Sequence, residues 1–430
     1  MSEAPQQNSD QWYRLDNAAR IFAAIESPRT PIVFRIAATC KDPIDRSSLQ
    51  TALANIMPRF PYFQVKLKKG LFWYYLQEIK SIPPVQEEME PPCRLFSAKK
   101  DGKLLIRVLV FKKRVSVECS HILTDGTGGL VFLKALLGEY LKVKGIDTEE
   151  SVDIPRPDQA VPAEELEDAY RKFYDPAIPP SKRKEKAFHM PGPVMDRDRY
   201  RITTGVVPIH PLIAKTKELG VTVTELLAAV LMQAILEYLK AFPQSQRNKH
   251  VKPIRIMIPV DLRKLYPSCT MRNFFLTVTP SIDPRLGEYS FDEILQSVFH
   301  YMRGEVNEKA ISRQIRRNVY IERHPLLRTV PLLLKIPLEK LLYRSYYSSL
   351  QSALFSNLGK VEIPSDMAGY FERFEVISGP NTDTKIGCSI VSYADSCCIT
   401  FGSILLHTDI EKHFFRKLRH MDIIPKIETN

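Results

Sequence analysis

Ser120-His121-Ile122-Leu123-Thr124-Asp125-Gly126-Thr127-Gly128-Gly129 is the stretch on which the reading of this chain turns. Before it, Val115 to Ser120 alternates and reads as a strand. After it, Gly128 to Lys144 carries Leu130, Val131, Leu133, Leu136, Leu137 and Leu141 as a helical stripe. His121 is therefore expected at a strand end, beside a glycine-rich turn that opens a helix. Proteins with α/β layers place reactive groups at such turns. A neutral imidazole there can take a proton from a hydroxyl, amine or thiol as general base. Asp125, four residues on, can orient the loop by pairing with a basic residue elsewhere. A plainer reading competes, because a lone histidine is more often a packed core residue and HxxxD is short. The turn lacks both GxGxxG and a P-loop lysine, so neither a dinucleotide site nor a Walker site is expected. His121 and Asp125 supply only two ligands and spacing adds no third, so no metal is expected.

Outward from this stretch, Leu104 to Phe111 pairs naturally with Val115 to Ser120 around Lys112-Lys113-Arg114, and Pro31 to Cys40 is a further strand. Asp45 to Phe60 opens on a capping residue and reads as a helix, and Gln64 to Ile79 is a hairpin turning at Gly70. Residues 1–150 thus form a β-α-β-β-β-β-α lobe after a polar lead. Residues 151–200 are proline-rich, hold the charged cluster Lys182-Arg183-Lys184-Glu185-Lys186, and read as a crossover linker with one short helix at Ala163 to Tyr174. Residues 201–430 resume with strands and helices. Thr222 to Phe242 is apolar on all sides, as a buried helix is. Strands follow at Pro253 to Asp261, Asn273 to Ile282, Ser352 to Ser356, Arg373 to Ile377, Gly387 to Tyr393 and Cys398 to Leu405. Elements mix without strict βαβ alternation, which predicts mixed α/β sheets in two lobes.

Composition bounds the function. With 430 residues, 44% of them hydrophobic, and only 17 glycines, the chain is neither disordered nor fibrous. Lys and Arg outnumber Asp and Glu by 61 to 49, so anionic partners are favoured. Ten Lys/Arg against four Asp/Glu fall between Arg303 and Arg344, most simply a solvated helix face. No nucleic-acid motif accompanies them, and nucleic acid is not an expected partner. Seven cysteines without a CxxC pair read as reduced thiols in a cytoplasmic protein. No apolar run reaches the roughly 18–20 residues of a membrane span. The Leu- and Pro-rich stretch Pro325 to Tyr343 reads as packing under a loop, with a membrane or lipid contact as the alternative.

Ser120 to Gly129 resembles the HxxxDG motif of the chloramphenicol acetyltransferase-like superfamily, which includes condensation domains and alcohol acetyltransferases. Three further stretches agree in order: Lys217 to Ile235 is similar to the helix after the family's linker. Ile258 to Phe275 (IPVDLRKLYPSCTMRNFF) resembles its VPVxxR…xNF strand, and Phe355 to Gly359 (FSNLG) its SNxG motif. Within the superfamily the chain is most similar to bacterial alcohol acetyltransferase-like proteins.

The resemblance implies two lobes with an active-site tunnel at their junction. It also implies acyl transfer from a thioester, acyl-CoA as co-substrate or an acyl-carrier protein, to a small-molecule hydroxyl or amine, with no tightly bound cofactor. His121 corresponds to the base. Asp125 corresponds to a structural aspartate, with Arg263 as its candidate partner, and Gly126 leaves room for the channel wall. Ser356 and Asn357 fall near the oxyanion or channel. Cys119 shares a strand face with His121 and is a channel candidate, although a packed thiol is the commoner outcome. Ser120 stands where condensation domains often have a second histidine, and the plant-type DFGWG motif is absent. A non-catalytic binding protein of this fold, or amide-forming condensation from a carrier-bound donor, are the alternatives.

Overall fold

The computed structural model describes residues 11–430 except 29, 98, 100, 147, 149–153, 180–184, 197–198, 244–250, 324–328 and 344–347. The expected cluster Lys182-Arg183-Lys184 lies outside the described residues.

Three sheets organise the chain. A five-stranded sheet runs in the order Phe371–Ser378, Val33–Cys40, Arg114–Ser120, Ile106–Phe111, Val85–Glu87. An eight-stranded mixed sheet has Ala353–Lys360 parallel to both Ile254–Asp261 and Ile386–Tyr393, with Ser396–Ser403, Arg201–Pro208 and Lys426–Thr429 following antiparallel. A three-stranded sheet adds Trp12–Arg14 to the expected hairpin of Val65–Lys69 and Tyr74–Glu78. The architecture is the mixed α/β fold that the sequence predicts.

Alternation explains the two faces of the first sheet. Phe34, Ile36, Val117 and Cys119 point into a core with Phe132, Leu133 and Leu136 of the Gly126–Val143 helix. On the other face Arg35, Glu118 and Arg107 lie side by side in register, all buried. Glu118 accepts from Arg35 Nε at 2.8 Å and from Arg107 Nε at 2.6 Å, so both buried cations are compensated.

Several expectations shift, each for a local reason. The helix after His121 begins at Gly126 rather than Gly128, because the Asp125 side chain caps it by accepting from Gly128 N at 3.1 Å. Asn273 to Ile282 is not one strand: it breaks into Phe275–Val278 and Ser281–Ile282 around Pro280, which has no N–H to give the ladder. Ala163 to Tyr174 is a turn at Ala163–Leu166 and another at Ala169–Lys172. The carbonyls of Glu165 and Glu167 are taken by Met271 N and Thr270 Oγ1, so they are diverted from a helical ladder. The polar lead contains an unexpected helix, Asn17–Ile25, capped by Asp16.

Phe371–Ser378 lies late in the chain yet pairs antiparallel with Val33–Cys40, closing the first sheet. It also packs against the second, where Phe374 and Tyr393 rings are 5.0 Å apart and Ser378 Oγ is 2.7 Å from Ser389 Oγ. Core residues Val391, Tyr393 and Cys398 of the second sheet accordingly share the first lobe's hydrophobic cluster. No single described helix is long and apolar enough to cross a membrane.

Candidate active site

Strand Arg114–Ser120 ends one residue before His121, whose N–H donates to Ile32 O at 2.9 Å. The imidazole sits in an aromatic box: Phe34, Phe22 and Phe275 have ring centroids 4.5, 5.3 and 6.0 Å away. Its Nδ1 is buried without a hydrogen bond of normal geometry among the described residues. Asn273 Nδ2 holds the His121 carbonyl at 2.8 Å and the buried Asp16 carboxylate at 3.0 Å. Asp16 in turn caps the Asn17–Ile25 helix through Ala19 N at 2.8 Å. One hydrogen-bonded chain therefore fixes the His121 backbone relative to the helix that delivers Phe22.

Burial pushes the His121 pKa down to about 4, against the opposing pull of the Asp125 carboxylate and of acceptor groups on Asn273 and Thr124 that favour the protonated ring. At neutral pH the ring is uncharged, the form that accepts a proton. A rate that depends on neutral His121 should thus be flat from about pH 5.5 to 8. With an ordinary imidazole pKa near 6.5, it would fall to about a tenth by pH 5.5. The kcat/KM profile distinguishes the two. Stability moves in the same direction. The unfolded histidine binds a proton below about 6.5 and the folded one does not until about 4, so acidification through that window favours unfolding.

Asp125 is occupied by structure. Its carboxylate accepts from Arg263 Nη1 at 2.9 Å, Arg263 Nη2 at 3.3 Å, Phe274 N at 2.8 Å and Gly128 N at 3.1 Å. Arg263 is itself held by Asp261 Oδ1 at 3.0 Å and by the carbonyls of Thr270 and Arg272 at 2.9 and 2.6 Å. The pairing expected from sequence is present, and it ties the first lobe's loop to the strand and turn of residues 254–264. The close approach requires Gly128: a Cβ there would lie 2.1 Å from Thr124 Oγ1 and 2.7 Å from Met271 O.

A cavity of about 800 Å³ opens between the sheets, and His121, Asp125 and Gly126 line one wall. Met257 and Pro259, then Leu354, Ser356 and Asn357, form the facing wall. Ala353 and Phe355 point the other way into the core, so strand alternation sends Ser356 to the cavity. Asn357 is committed: its Nδ2 donates to Thr224 Oγ1 and its Oδ1 accepts from Gly359 N, both at 2.9 Å. Gly359, at φ +88°, allows the bulge that shifts register there. At Gly126 a Cβ would come 3.1 Å from Leu358 Cδ1, so the bare backbone widens the cavity at this point.

Cys119 does not belong to this wall. It is fully buried in the first core, because the strand's alternation stops at Ser120 and the turn carries His121 out of its register. Burial pushes the thiol pKa well up, so it is not a nucleophile. Phe22, Asp16 and Asn273 are the site residues that sequence reading missed. The xNF end of the Ile258 to Phe275 stretch was the only signal for Asn273. Among the described residues no three His, Cys, Asp or Glu side chains cluster as metal ligands.

No family model matches the chain, and no curated protein does. Solved structures do match. The chain is 14% identical to polyketide synthase associated protein 5 from Mycobacterium tuberculosis, with 95% of this chain and 97% of that one covered at a TM-score of 0.58. It is 11% identical to trichothecene 15-O-acetyltransferase from Fusarium sporotrichioides, with 95% and 94% covered at 0.55. A starter condensation domain of rhizomide synthetase, solved as a mutant in complex with C8-CoA and Leu-SNAC, is 12% identical, with 95% and 93% covered at 0.58. The chain has the mixed α/β fold of these solved structures, a condensation domain and an acetyltransferase among them.

Proposed function

We propose that this chain, with the condensation-domain fold, transfers an acyl group from a thioester, most simply acyl-CoA, to a hydroxyl or amine inside the cavity. The observation that carries the reading is a neutral, aromatic-boxed His121 on the wall of an open cavity of about 800 Å³. His121 takes the proton from the acceptor as its oxygen or nitrogen attacks the thioester carbonyl. The tetrahedral oxyanion collapses, the carbon–sulfur bond breaks, and the thiolate leaves and recovers the proton. Ser356 is the available donor for the oxyanion, while Asn357 shapes the wall. Asp125 and Arg263 hold the loop and take no proton. Lys264 and Lys385 on the cavity lining, with the basic net charge, suit the phosphates of CoA or of a carrier's phosphopantetheine.

Two of the structural neighbours support this reading by name, one an O-acetyltransferase and one solved with an acyl-CoA. The test is thiol release from acetyl- and octanoyl-CoA across a panel of alcohols and amines. Release that requires an acceptor is expected. Saturable CoA-thioester binding with no release for any acceptor would favour a binding protein instead.

A further inference from the structure

We propose that the outer face of the Leu332–Leu342 helix, with the hairpin tip beside it, docks this protein on an anionic lipid bilayer. The helix, LLLKIPLEKLL, is inverted relative to an ordinary surface helix. Leu332 is 5% exposed and Ile336 packs on the first core, but Leu333, Leu334, Leu338 and Leu341 stand 82, 64, 47 and 64% exposed. The tip of the Val65–Lys69 and Tyr74–Glu78 hairpin continues the same apolar surface, with Leu71 70% and Trp73 47% exposed. The two are joined directly: Leu332 N donates to Leu71 O at 2.8 Å and Lys335 Nζ to Phe72 O at 2.9 Å. Isolated exposed leucines need no explanation, whereas a contiguous set from two elements marks a contact surface.

Charge selects the occupant. Lys68 and Lys69 beside the hairpin tip and Lys340 on the helix are exposed next to the apolar face, and Glu339 is the exposed acidic residue on the helix. A second copy of this basic chain would set lysines against lysines. An anionic headgroup layer attracts them and accepts leucine and tryptophan side chains below it. Eleven residues of helix span roughly 16 Å, half of a bilayer's hydrocarbon core, so the helix lies along the surface.

The position gives the docking a use. The helix packs on Asn17–Ile25, whose Ile21 and Phe22 line the cavity, and Tyr343 at its end lines it too. Ile21 is 39% exposed, which puts an opening of the cavity beside the docked face. A lipid-borne alcohol, amine or acyl chain can then reach the cavity from the bilayer; this consequence rests on the acyl-transfer reading, while docking itself does not.

Vesicle flotation tests docking without any activity readout. The protein is expected to float with phosphatidylcholine vesicles containing phosphatidylglycerol, much less with phosphatidylcholine alone, and less at high salt. The triple variant L334S/L338S/L341S should keep the wild-type melting curve and lose binding roughly tenfold or more, because affinity scales with buried apolar area. Lys69→Glu with Lys340→Glu should weaken binding to the anionic vesicles only. Absence of vesicle binding overturns the proposal, and so does binding that the leucine variant retains. A chain dimer in solution that the leucine variant dissociates, with no vesicle binding, would assign the face to a second copy.

Discussion

His121→Ala is expected to lower kcat for acyl transfer by about 10²–10⁴ while the chain stays folded. The side chain contributes little to the backbone scaffold, since Asn273 grips the His121 carbonyl rather than the ring. Its removal opens space toward the cavity rather than a sealed void. Far-UV circular dichroism and the melting curve should therefore match wild type, and thioester binding should persist. KM should move little, because the lost interaction acts on a proton in transit. His121→Asn, which keeps the size of the side chain but offers no comparable base, should be equally slow. Retention of most of the activity in either variant would remove His121 from the chemistry.

Asp125→Ala should lower stability and rate together. Removing one partner of a buried ion pair costs roughly 3–5 kcal/mol. Asp261, 3.0 Å from Arg263, stays in place and keeps this at the low end. The lost cap of the Gly126–Val143 helix adds about 1 kcal/mol. A total near 4 kcal/mol corresponds to a melting temperature roughly 4–5 °C lower if a chain of this length unfolds as one unit. Arg263→Ala should destabilise similarly. The double variant should fall well short of the sum, because contacting residues couple. Additive losses would show that the contact contributes nothing specific. A fully stable but inactive Asp125→Ala would put the carboxylate into the chemistry rather than the scaffold.

The sequence made the local features of this site legible where one residue type settles the matter. The apolar stripe after GTGG announces the helix and the face that it buries, although its start was read two residues late because the capping role of Asp125 was not read. The motif order also led to Arg263, 138 residues from the aspartate that it grips. Four things were not legible. Asn17–Ile25 is nine residues long, too short for periodicity to stand out after a polar lead, yet it carries Phe22 to the imidazole. Alternation shows that Phe371–Ser378 is a strand, but period two does not say which sheet it joins. Only long-range packing places it beside Val33–Cys40. Cys119 entered the channel candidates by carrying the strand period one residue past its end, whereas the packed thiol also read from sequence is what the core holds. The outward leucines of Leu332–Leu342 were visible as composition, while their exposure depends on which face meets Asn17–Ile25.

Direct transfer by a base, with no acyl group parked on the protein, is measured most simply in a single turnover. Enzyme in excess over octanoyl-CoA is mixed with an acceptor that supports thiol release, quenched, and both protein and acceptor are weighed by mass spectrometry. The expected result is one octanoyl mass on the acceptor for each thiol released, none on the protein, and negligible transfer by His121→Ala. An acyl adduct on the protein that forms without acceptor and is later passed on would contradict it, as would an unchanged yield from His121→Ala.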